Sequence, residues 1–76
     1  MQLRFSPVGE LIRYAILCRL YQGPARVEEL DELARSVVER VGVKYNWRIW
    51  PDLVGVEVSI TNGVVELTDL GRKILE

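Results

Sequence analysis

Few residues of this sequence have the type and spacing to do covalent chemistry. Histidine is absent, so the usual general base and the usual imidazole metal ligand are both missing. The single cysteine, Cys18, sits in the apolar run "YAILC", where a thiol is ordinarily an inert packing group. Ser36 and Ser59 have no recognisable base partner. Glu28, Glu29, Asp31 and Glu32 crowd together, but in the pattern of a solvated first helical turn rather than a focused acid–base pair. The sequence has no glycine-rich phosphate loop and no Cys/His set that would hold a structural zinc. Neither an enzyme nor a metal or cofactor is expected.

Recognition chemistry is better represented. The stretch "VKYNWRIWPDL", Val43 to Leu53, holds both tryptophans, one of the three tyrosines and two cations. As a helix it lines up Val43, Trp47, Trp50 and Val54 on one side and turns Lys44, Arg48 and Asp52 to solvent. As a strand it alternates Val43, Tyr45, Trp47 and Ile49 with Lys44, Asn46 and Arg48. Periodicity fits both; aromatic and β-branched content, with Pro51, favours the strand. Either way Lys44 and Arg48 share an exposed side, which makes them candidate phosphate contacts. Asn46 is the candidate base reader, because its amide can form two bonds to adenine. Trp47 belongs to the core in both readings, whereas Trp50 changes sides and becomes a contact surface if exposed.

These residues need a frame, and the sequence supplies most of one. "SPVGELIRYAILCRLYQG" predicts a helix over 7–22, with Ser6 as cap, Pro7 in the first turn and Gly23-Pro24 as the stop. Val8, Leu11, Ile12, Ala15, Ile16 and Cys18 share one broad side, while Tyr14, Leu17, Leu20 and Tyr21 lie largely elsewhere. So much apolar circumference implies either a central position or a second side that meets another chain. Over 27–41 the pattern is plainly amphipathic: Val27, Leu30, Ala34, Val37 and Val41 recur at spacings of three and four, with acids early and Arg35 and Arg40 late. "VEVSI" and "VVEL" flank Thr61-Asn62-Gly63 and read as a hairpin, with Val56, Val58 and Ile60 inward and Glu57 and Ser59 outward. "TDLGRKILE" closes the chain as a short helix capped by Thr68.

Composition sets the outer limits. A chain of 76 residues makes one domain, 1–76, that buries only about 60% of its unfolded surface and gains from an efficient core or a partner subunit. At 49% hydrophobic and 28% charged residues the chain is globular rather than disordered. No run is long enough to span a bilayer and the first residues lack a signal-peptide core, so no membrane association and a cytoplasmic location are expected. Two Asn and two Gln amid abundant Val, Leu, Glu and Arg would suit a thermophile. A net charge of −1 provides no global basic footprint, and any nucleic-acid contact must be local.

The order of elements resembles a winged helix-turn-helix domain of the archaeal and bacterial regulator type. The overlap is carried by "GVEVSITNGVVELTDLGRKIL", with Gly55 before the first wing strand, the Thr61-Asn62-Gly63 tip, and Leu67, Thr68 and Gly71 as the leucine-threonine-x-x-glycine opening of the last helix. "GPARVEELDELA" is similar to the segment that leads into that family's second helix. The resemblance implies an α+β, winged-helix-like fold: two N-terminal helices, a third element of ambiguous type, a β-hairpin wing and a short C-terminal helix. It implies a small non-enzymatic protein that binds double-stranded DNA, in the manner of a transcriptional regulator. Lys44, Asn46 and Arg48 would lie in the reading element, and Thr61 and Asn62 at the wing tip. The resemblance favours a helix for Val43 to Leu53, the slot of the family's recognition helix, and the sequence departs from that slot's pattern at Pro51. A homodimer is expected, since a lone small domain of this charge gathers few phosphate contacts. Its surface would comprise Tyr14, Leu17, Leu20 and Tyr21 of helix 7–22, with Trp50. The alternative is a winged-helix protein-interaction module or assembly subunit that leaves nucleic acid alone, in keeping with the acidic start of helix 27–41.

Overall fold

The computed structural model describes residues 7–42 and 53–76. Its elements run α1 (Pro7–Tyr21), β1 (Ala25–Arg26), α2 (Val27–Val41), β2 (Val58–Thr61), β3 (Val64–Leu67) and α3 (Asp69–Leu75). The three strands form one antiparallel sheet in the order β1-β3-β2. The fold is α+β and winged-helix-like. The helix-or-strand choice for Val43 to Leu53 falls almost wholly on residues outside those described.

The clearest local signals of the sequence become the clearest elements. α2 carries Glu28 and Glu29 in its first turn and Arg40 in its last, matching the helix dipole. It stops at Gly42, whose backbone is left-handed at φ 78° and whose N–H donates to the Val38 carbonyl at 3.1 Å. The β2–β3 hairpin turns through two residues, Asn62 at φ 52° and Gly63 at φ 77°, with Thr61 paired to Val64. β1 has no counterpart in the sequence reading. It exists because Ala25 and Arg26 pair with Val65 and Val64, so the wing makes the strand.

The core lies between α1, α2 and the sheet. Ile12, Ile16, Leu17 and Leu20 of α1 meet Leu30, Ala34 and Val38 of α2, and Val58, Val65, Leu67 and Leu53 close the other side. Two sequence expectations change here. Leu17 and Leu20 are core residues, with nothing to offer a second chain, whereas Leu11 and Cys18 point outward. The helix is apolar around so much of its circumference that periodicity alone could not phase it; α2 and the sheet do so. The alternation expected before the turn also breaks. Gly55 is left-handed at φ 87°, and the Val56 and Glu57 amides both donate to the Leu53 carbonyl at 3.0 Å, so the chain turns there and β2 starts only at Val58. Val56 is consequently exposed and Glu57 fully buried, the reverse of the simple pattern, while Val58 is buried as expected and Ile60, opposite Val65 on the edge strand, is 40% exposed.

Glu57 tolerates burial because it is bonded. Arg13 of α1 donates from Nε to its Oε2 at 2.7 Å and from Nη1 to Glu10 at 3.3 Å. Burial works against the guanidinium charge, but the Glu57 hydrogen bond and the nearby negative charges overcome it and hold the Arg13 pKa above its ordinary value. The pair fastens α1 to the root of the hairpin.

The leucine-threonine-x-x-glycine motif has a physical reason at the same root. Thr68 caps α3 by accepting from the Gly71 N–H at 3.2 Å. Its hydroxyl also donates to the Val56 carbonyl at 2.6 Å, and its N–H to the Glu57 carbonyl at 3.0 Å. Gly71 is buried against that strap, where a Cβ would come within 2.2 Å of the Glu57 carbonyl oxygen. Only glycine lets α3 lie this close.

Candidate nucleic-acid interface

The candidate interface begins at the sheet. Arg26 pairs with Val64, and Val64 with Thr61, so the three form one row across β1, β3 and β2. Residues directly opposite in a sheet share a face, and two strand spacings put the ends of this row about 10 Å apart. The row is the solvent side: Arg26 and Thr61 are exposed, while Ala25 and Val65 of the next row are buried. Asn62 projects immediately beyond it at the tip. The fold therefore brings Arg26 beside Thr61 and Asn62, a neighbourhood that depends on β1 and could not be read from spacing.

The corner is held firmly. The Val27 N–H, one of the free donors at the start of α2, donates to the Gly63 carbonyl at 3.1 Å. The tip is thereby tied to the beginning of a 15-residue helix. Chemically it offers one guanidinium, one hydroxyl and one amide, a set suited to phosphate and groove-edge contacts. Its charge is modest, because Glu28 lies 3.6 Å from Arg26 with both side chains largely exposed. Glu66 on β3 is exposed as well.

Other cations divide into two kinds. Arg13, Arg19 and Arg35 are committed to carboxylates: Arg13 to Glu57 and Glu10, Arg19 to Glu29, and Arg35 to Glu32 at 2.6 Å. Arg40, Arg72 and Lys73 are exposed and form no ion pair within the described residues. Arg72 and Lys73 fall in the last turn of α3, where they complement its dipole. Arg40 is the addition that sequence reasoning passed over. It stands in the last turn of α2, at the point from which the chain runs on to Lys44, Asn46 and Arg48. Those three residues and Trp50 lie outside the described residues.

The predicted dimer set is divided by the structure. Tyr14 and Tyr21 are exposed on α1, Leu17 and Leu20 are in the core. Compared with known protein families, curated proteins and solved structures, the chain matches none. Among the described residues no helix is long and apolar enough to cross a membrane.

Proposed function

We propose that this chain is a small, non-enzymatic, cytoplasmic DNA-binding protein of the winged-helix family, working as a homodimer in the manner of a transcriptional regulator. The observation that supports it is the pairing of β1 with the wing strand β3, which sets Arg26 next to the exposed Thr61 and Asn62. Arg26 and the tip contact the backbone of duplex DNA. The segment entered after Arg40 supplies Lys44 and Arg48 to phosphates and Asn46 to a base edge.

The test is a titration of random-sequence duplex DNA, followed by tryptophan fluorescence and by anisotropy of labelled DNA, at low and near-physiological salt. With about three or four phosphates engaged per chain, log K should fall with log salt at a slope of roughly −3 per chain. Substituting Lys44 and Arg48 together by alanine should flatten that slope by about 2. Absence of binding at low salt would refute the proposal.

A second reading has its own observation. Every exposed residue of α1 is uncharged, which suits a protein-interaction module or assembly subunit independent of nucleic acid.

A further inference from the structure

The two long helices treat water in opposite ways. The exposed residues of α2 are Glu28, Glu29, Glu32, Arg35, Glu39, Arg40 and Val41, a charged solvent face closed by one valine. Those of α1 are Pro7, Leu11, Tyr14, Cys18 and Tyr21, without a single charge. The charges of α1 sit at the flanks, half-buried and already paired: Arg13 with Glu57 and Glu10, Arg19 with Glu29. Leu11, Tyr14 and Tyr21 expose 53%, 50% and 54% of their surface. An outward helical face with this make-up has the composition of an interface core.

Its spacing suits a second copy of the same helix. Leu11, Tyr14, Cys18 and Tyr21 follow one another at intervals of three, four and three, a coiled-coil seam on the side of α1 away from Ile12, Ile16 and Leu20. The sequence of intervals reads the same in both directions. Under a two-fold axis between Tyr14 and Cys18, an antiparallel copy sets Leu11 against Tyr21 and Tyr14 against Cys18, each contact being made twice. The seam carries no charge to repel its own copy, and the antiparallel arrangement also opposes the two helix dipoles favourably. Beside Tyr21 lies a shallow open depression of about 290 Å³ lined by Cys18, Tyr21, Gln22, Leu75 and Glu76. In this register it receives Leu11 of the second copy, as a knob enters a hole.

We propose that the chain forms an antiparallel homodimer through this outer seam of α1. The inference rests on the homodimer part of the reading above and not on DNA binding. Area sets the strength: at ~200 Å² per fully buried aromatic, two half-exposed tyrosines with Leu11 and Cys18 give roughly 350 Å² a side. That is about half of the ~800 Å² a standard interface takes from each partner, so the dimer is weak and reversible.

Sedimentation equilibrium without DNA, from about 5 to about 500 μM, spans the affinity of such an interface. The wild type should pass from monomer to dimer. Tyr14→Glu with Tyr21→Glu, two exposed positions, should keep the helical circular dichroism and weaken the dimer about 30-fold or more. A wild type that stays monomeric throughout overturns the inference. A dimer that survives the double substitution leaves a homodimer built on another face and overturns the seam. The register has its own check. Cys18 and its symmetry mate are offset by about 6 Å along helices 8–10 Å apart, beyond disulfide reach, whereas Tyr14→Cys faces Cys18 of the other copy. Mild oxidation should then link Tyr14→Cys protein into a covalent dimer and leave the wild type free. Failure of the variant to link, or equal linking of both, overturns the register.

Discussion

Replacing Gly71 by alanine sets two physical effects against each other. Helix propensity alone favours the change by roughly 0.5–1 kcal/mol, since glycine is the costlier residue in a helix. Space opposes it. The new Cβ would lie 2.2 Å from the Glu57 carbonyl oxygen and 3.0 Å from Leu67 Cδ2, and the nearest atom is backbone that cannot rotate away. Relief requires α3 to lift by about 1 Å, an overpacking distortion that costs about 1–3 kcal/mol. Lifting also stretches the Thr68 N–H bond to Glu57 at 3.0 Å and the Thr68 hydroxyl bond to Val56 at 2.6 Å. Each is worth about 1 kcal/mol. The net expectation is a loss of about 2–3 kcal/mol, or a Tm lower by roughly 10–20 °C for a domain of this size. Urea unfolding and a thermal melt at a concentration where the protein is monomeric would measure it. Lys73→Ala, exposed on the same helix, is the control and should change little. A Gly71→Ala protein as stable as the wild type would refute the close seating of α3 on the Glu57 carbonyl.

Arg13→Met should destabilise the fold by about 2–4 kcal/mol, because it removes the Arg13 guanidinium bonded to the buried Glu57 carboxylate. Arg13→Met with Glu57→Leu should recover most of that loss, so a double-mutant cycle by urea unfolding that shows simple additivity would contradict the buried pair. Leu17→Ala and Leu20→Ala should each cost about 2–4 kcal/mol as core truncations. Tyr14→Ala and Tyr21→Ala, measured at monomer concentrations, should each stay within about 1 kcal/mol of the wild type.

Legibility in the sequence followed how local the cause was. α2 was readable to both ends, since its stripe, its acidic start and Gly42 are all written within the segment itself. The Asn62-Gly63 turn was readable for the same reason. The phase of α1 was not, because apolar residues on most sides leave the choice of buried face to α2 and the sheet. β1 is too short to have a pattern and is created by pairing with β3. Glu57 looked solvent-facing by alternation, but it is buried and bonded to Arg13, 44 residues away. The candidate interface divides similarly. Thr61 and Asn62 were legible as a tip, but the adjacency of Arg26 is a product of strand order.

The bond from the Val27 amide to the Gly63 carbonyl makes the hairpin and α2 a single lever. α2 is about 22 Å long at 1.5 Å per residue and stiff over that length. A force that displaces the tip must either break that bond, freeing an amide at the head of the helix, or carry the helix along. Exchange of the Val27 amide with deuterium is the natural gauge of that linkage, slow while the lever is whole and fast once the tip is released.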